Sequence, residues 1–193
     1  MFPKDQQLFT LKPSVLKQKG MVVWLLGLSG AGKSTIAGLL KEKLAEDGFF
    51  SIILDGDVMR EGINKNLSFS TEDRMENVRR VAEMANMLAQ NEVITICSLI
   101  TPLEEHRELV REIIKSKYFE VFVDCPLSVC EERDVKGLYK KARANQIKNF
   151  TGIGSQFTPS AQSDLVLPTS KESAQASVQT LYADILPFIH RAD

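Results

Sequence analysis

Apolar runs of strand length alternate along this chain with longer amphipathic stretches, the pattern of a parallel sheet wrapped by helices. Residues 21–26, 51–54, 93–98, 120–124 and 164–167 read as strands. The first, third and fourth are apolar on both alternating faces, as central strands covered on both sides must be. Residues 33–47, 71–90, 103–117 and 170–189 read as helices. The second of these is the best specified. Ser70 is the expected N-cap with Asp73 three residues on, an acidic variant of the capping box. Met75, Val78, Ala82, Ala85 and Leu88 then recur at spacings of three and four and make one apolar stripe.

Composition narrows the class. The chain has 193 residues, 44% of them hydrophobic and 25% charged, which argues against disorder and coiled coil and for one α/β-sized domain over residues 1–193. Residues 1–19 read as an N-terminal extension. The longest apolar run, residues 21–28, falls far short of the ~20 residues of a membrane span, and no stretch before it resembles a secretory signal. A cytoplasmic location with no membrane partner is expected. Cys97, Cys125 and Cys130 read as buried, reduced thiols. Two histidines, His106 and His190, are too few and too far apart for a histidine zinc site or a Ser-His-Asp hydrolase.

Twenty-four Lys and Arg against 25 Asp and Glu leave a net charge of −1, which excludes a uniformly basic nucleic-acid binder. That sum conceals one anomaly. Between residues 133 and 154, Arg133, Lys136, Lys140, Lys141, Arg143 and Lys148 face only Asp134, a net +5 in 22 residues.

The chemistry starts after the first strand. Gly27, Leu28, Ser29, Gly30, Ala31, Gly32, Lys33, Ser34 and Thr35 match G-x-x-x-x-G-K-[ST], placed between a strand and a helix as a phosphate-binding loop requires. Glycines let successive N–H groups turn inward, and the helix adds its positive end. Lys33 is the expected partner of the β- and γ-phosphates, and the Ser34 hydroxyl that of Mg²⁺. The guanine-reading N-K-x-D signature of GTPases is absent, since Asn64-Lys65-Asn66 is followed by Leu67. Asp55 and Asp57 follow the second strand, where open α/β sheets bind ligands. Asp55 is thus a candidate to hold Mg²⁺ through water or to accept the proton of an attacking hydroxyl.

Several long motifs, GLSGAGKST, LDGDVMREGI, LSFSTEDRMENVRRVAEMA, EVFVDCPLSVCEERD and KGLYKKARANQIKNFTGI, occur in one order. Through them the chain resembles the adenylylsulfate kinases over roughly residues 20–153. The resemblance implies a P-loop NTPase fold of the nucleotide-kinase type, a parallel sheet with helices on both faces and a basic lid at 133–154. It implies ATP and Mg²⁺ as cofactors, and adenosine 5′-phosphosulfate as the acceptor, phosphorylated on its 3′-hydroxyl. It adds Arg133 to the ATP contacts and assigns the acceptor to Asp57, Arg60, Phe69, Arg74, Asn77, Ile100, Lys136, Leu138 and Phe150. Thr101 matches a family serine treated as a phosphorylated intermediate, and we read it as near the substrate and not as an obligatory nucleophile. Family members commonly dimerise, so a homodimer is expected. Asn66, Ser68, Val135 and Gly154 depart from the family pattern. A branch that phosphorylates cytidine diphosphoramidate, and a nucleotide-sensing module with little turnover, are the two other readings.

Overall fold

The computed structural model describes residues 16–190, so most of the N-terminal extension lies outside the described residues. Strands β1 (Met21–Leu26), β2 (Ser51–Asp55), β3 (Ile94–Ser98), β4 (Tyr118–Asp124) and β5 (Leu165–Pro168) form one sheet in the order β2-β3-β1-β4-β5. All four pairings are parallel. β1 lies at the centre with every residue buried. Its alternate side chains feed two cores. Val23 and Leu25 pack with Leu40 and Leu44 of α1 (Lys33–Glu46) and with Val178 and Leu181 of α7 (Ala174–Ile189). Val22, Trp24 and Leu26 pack with Val78, Val81 and Ala85 of α3 (Thr71–Gln90) and with Val110 of α4 (Glu104–Ile114). A strand with no polar face has to be covered from both sides, and these helices do so.

Of the predicted stripe of α3, Val78, Ala82 and Ala85 are buried and Met75 and Leu88 half-buried, with Val81 and Ala89 completing the covered face; Ser70 caps the helix by accepting from the Asp73 N–H at 3.1 Å. Other boundaries moved for local reasons. The predicted helix 103–117 stops at Ile114, because Lys115 takes a left-handed φ of 59° and opens a single 3₁₀ turn ahead of β4. The last helix begins at Ala174 and not at residue 170, since Ser173 supplies its cap to the Ala176 N–H at 3.1 Å. Three short helices, α2 (Gly56–Glu61), α5 (Leu127–Arg133) and α6 (Leu138–Arg143), have too few turns to show a period. No helix among the described residues is long and apolar enough to cross a membrane. All three cysteines are free and buried.

Candidate active site at the carboxyl edge of the sheet

The loop between β1 and α1 curls against the ends of its neighbours. Gly27 has φ 148°, and a Cβ there would stand 2.5 Å from the Val123 carbonyl oxygen, so only glycine fits. Its N–H donates to the Ile100 carbonyl at 3.3 Å, tying the loop to the segment after β3. Helix α1 starts behind Gly32 with no side-chain cap and no acidic residue in its first turn, whereas α3 and α7 are capped by serines. Its first N–H groups are left for an anion.

Lys33 is buried and folds back onto its own loop, its Nζ donating to the Gly27 carbonyl at 2.9 Å and the Leu28 carbonyl at 2.8 Å. Burial lowers its pKa to about 8, against the opposing pull of the nearby Cys130, Asp55 and Asp57. Ser34 Oγ donates to Asp55 Oδ2 at 2.8 Å and lies 3.4 Å from Ser98 Oγ. Asp55 also caps α2, accepting the Asp57 N–H at 3.0 Å. Its partial burial pushes the carboxyl pKa up, but the donors Ser34, Asp57 N–H and Ser98, together with the charge of Lys136, outweigh that and hold it below the usual range. Asp55 is an ionised carboxylate and a weak base.

A second cluster lies beyond α2. The exposed Phe69 ring has the Arg60 guanidinium 4.4 Å from its centroid and that of Arg74 at 5.7 Å. Arg60 donates to the Ser68 carbonyl at 2.9 Å, and Arg74 reaches Thr151 Oγ1 at 3.1 Å and the Asn149 carbonyl at 2.7 Å. Asn77, three residues on from Arg74 in the same helix, is buried, and its Oδ1 accepts from Asn64 Nδ2 at 3.0 Å. Two of the departures from the family pattern are absorbed locally. Ser68 donates to Asp73 through both N–H and hydroxyl, and Asn66 Oδ1 accepts from Arg80 at 2.9 Å.

The basic segment spans the two clusters. Arg133 donates to the carbonyls of Gly30 at 3.3 Å, Ala31 at 3.5 Å and Thr169 at 2.7 Å. Lys136 forms an ion pair with Asp57. Asp134 accepts from the Tyr139 and Lys140 N–H groups, both at 3.0 Å, and so starts α6; Asp134 and the first helix residue, Leu138, are both half-buried. The Tyr139 hydroxyl donates to the Ser29 carbonyl at 2.9 Å, and its ring meets Phe150 edge-on at 5.0 Å.

Thr101 is not brought into this constellation. It is 2% exposed, has φ 44°, and its Oγ1 accepts from the Trp24 indole at 2.8 Å, on the core side of the sheet end. The motifs did not single out Ser98, Tyr139, Thr169 or Arg107. Ser98 ends β3, and Thr169 follows β5, with its hydroxyl donating to Ala31 O at 2.7 Å. Asking what stands at the carboxyl end of every strand would have found both. Arg107 is wholly buried, and nothing in an isolated arginine on a helix signals that.

A central parallel strand feeding a phosphate loop, with a carboxylate at the end of a nearby strand and a basic segment across the opening, defines a P-loop kinase. Within that class the chain belongs to the adenylylsulphate kinase family, whose profile matches residues 19–168. It is 49% identical over 160 residues to the adenylyl-sulfate kinase of Halothermothrix orenii, covering 83% of this chain and 86% of that protein. With the adenylyl-sulfate kinase of Clostridium acetobutylicum the identity is 45% over 170 residues, 88% and 85% of the two chains. Among solved structures, the Mycobacterium tuberculosis APS kinase in complex with AMPPNP and APS superposes with a TM-score of 0.84. The pair share 44% identity, over 88% of this chain and 98% of the other.

Proposed function

We propose that this protein transfers the γ-phosphoryl group of ATP to the 3′-hydroxyl of adenosine 5′-phosphosulfate. The observation that carries the reading is the juxtaposition along α2. Asp55 at its start joins the phosphate loop through Ser34, and Arg60 near its end joins the Phe69–Arg74 cluster. One carboxylate therefore stands where a donor site and an anion-and-ring site meet.

The loop from Gly27 to Thr35 wraps the ATP phosphates with backbone N–H groups, and Lys33 exchanges its two carbonyl partners for phosphate oxygens. The oxygens of Ser34 and Asp55, 2.8 Å apart, are hard donors suited to Mg²⁺. Among the described residues no group of three or more His, Cys, Asp or Glu side chains converges on a metal, which favours an ion that keeps water and phosphate ligands. Bound there, Mg²⁺ supplies neutralisation of charge on the outer phosphates. Asp55 accepts a hydrogen bond from the 3′-hydroxyl and orients it for in-line attack. Its depressed pKa suits orientation better than early proton abstraction. Arg60 and Arg74 bind the phosphosulfate end, and Phe69 and Phe150 provide ring faces for the adenine.

Residues 133–154 act as the lid. Arg133 covers the ATP side, while Lys136 trades its Asp57 partner for substrate anions and excludes water as the lid closes. The inward-turned Thr101 hydroxyl favours direct transfer without a phosphothreonine. The enzyme is a cytoplasmic homodimer in this reading, which sedimentation at twice the 21.6 kDa chain mass would support and a monomer would refute.

An acceptor screen with γ-labelled ATP tests the activity. Label is expected on the 3′-oxygen of adenosine 5′-phosphosulfate. Preferential labelling of cytidine diphosphoramidate, or ATP consumption that ignores every acceptor, would overturn the assignment.

A further inference from the structure

Tyr139 lies outside every role assigned so far, yet it touches both halves of the site. Its ring is 2% exposed. Its hydroxyl donates to a phosphate-loop carbonyl, Ser29 O, at 2.9 Å. Its ring edge meets Phe150 at 5.0 Å and an interplanar angle of 83°. From Phe150 the contacts continue on either side, because Arg74 holds the Asn149 carbonyl at 2.7 Å and the Thr151 hydroxyl at 3.1 Å. Arg74 in turn lies over Phe69. The Phe150 segment also presses on the phosphate loop directly, since a Cβ at Gly152 would come within 3.2 Å of Leu28 Cδ2. A continuous packed path therefore runs from the ATP loop to the acceptor cluster, and Tyr139 joins that path to the loop by a hydrogen bond.

We propose that Tyr139 is a positioning residue that couples the two nucleotide sites. The hydroxyl holds α6 to Ser29, so a phosphate loop settled on ATP fixes α6, and α6 through the ring edge fixes Phe150 for the acceptor. Binding at either site then favours binding at the other by the same factor, as linkage requires. The inference rests on the function proposed above. It concerns how the sites communicate, so it makes a separate prediction.

The test measures four dissociation constants: AMPPNP with Mg²⁺ alone, adenosine 5′-phosphosulfate alone, and each in the presence of the other. The wild type is compared with Tyr139→Phe, which keeps the ring contact with Phe150 and deletes only the hydroxyl. The wild type is expected to show positive coupling. In Tyr139→Phe each nucleotide alone should bind within about twofold of wild type, while the coupling factor falls by roughly three- to tenfold, the worth of one neutral hydrogen bond. Unchanged coupling in the variant overturns the proposal. So does a wild type whose sites bind independently, or a variant that loses both single-ligand affinities with its coupling intact, which marks a structural role alone. A wild type that does not bind adenosine 5′-phosphosulfate at all refutes the proposed function instead, so the two failures are distinguishable.

Discussion

Two side chains, Lys33 and Asp55, have pKa values shifted below their ordinary ranges, and each residue turns into a measurement. Burial brings the Lys33 pKa to about 8, so near that pH half of the free protein carries a neutral amine at the phosphate loop. Triphosphate binding restores the charged form, since an anion beside the amine raises its pKa. ATP binding at about pH 8.5, where MgATP has no proton left to release, should therefore take up a proton, and affinity should fall as pH rises through 8. Calorimetry in buffers of different ionisation enthalpy reads the uptake directly, and Lys33→Met should abolish it. Asp55→Ala should lower kcat by roughly 10²- to 10³-fold, the scale seen for loss of one preorganised hydrogen-bonding group. The same change removes the α2 N-cap and should cost about 1 kcal/mol in urea unfolding. A kcat within threefold of wild type would remove Asp55 from the mechanism. The phosphate-loop motif singles out Lys33, and a place at the carboxyl end of the second strand singles out Asp55. Neither signal reveals that Lys33 rests on the Gly27 and Leu28 carbonyls when alone, which depends on the loop's three-dimensional turn.

Among the helices, the long ones were legible and the short ones were not, whereas even the short strands β2 and β5 were read to within a residue. β1 and α3 announce themselves through an unbroken apolar run and a regular stripe, whereas α2, α5 and α6 are set by tertiary contacts such as the Tyr139–Ser29 bond. Least legible of all is the irregular segment from residue 155 to 163, whose sequence gives no periodic signal. It is pinned by charge. Arg107 donates to the carbonyls of Thr101, Pro102 and Thr158, and pairs with Glu104 at 3.0 Å. Arg111 carries the network on to Glu120, which is 1% exposed and accepts from the hydroxyls of Tyr118, Ser160 and Ser163. The segment that follows the lid is thus bolted to α4 and β4. Glu104 is itself more than a third exposed and keeps Arg111, so removing Arg107 acts by leaving buried carbonyl acceptors without their donor, at about 1–3 kcal/mol. Arg107→Ala should lose that much in urea denaturation, more than truncation of an exposed lid lysine. A loss under about 1 kcal/mol would mean the segment is held by its apolar contacts, among them the Phe157 ring stacked 6.0 Å from Phe122.

At the scale of the molecule, a net charge of −1 coexists with a lid of net +5, and the structure refines how much of that lid charge is available to a substrate. Lys136 is paired with Asp57, and Arg143 with Glu131 at 2.6 Å. Among the described residues, Lys140, Lys141 and Lys148 are exposed and have no carboxylate within ion-pair distance, so they contribute the field that an approaching polyanion meets. Charges of this kind act on encounter more than on the chemical step, and salt screens them over about 8–10 Å. The kcat/KM for adenosine 5′-phosphosulfate should therefore fall as ionic strength rises from about 0.05 to 0.5 M, with kcat nearly constant. Lys140→Glu combined with Lys141→Glu should lower kcat/KM by roughly three- to tenfold at low salt and flatten the salt dependence. Both positions face away from the packed side of α6, where Tyr139 and Ala142 are buried, so the melting temperature should hold steady. If the double variant instead lowers kcat while leaving the salt slope as steep as in the wild type, these lysines act within the closed complex, and the field that draws substrate in arises elsewhere on the protein.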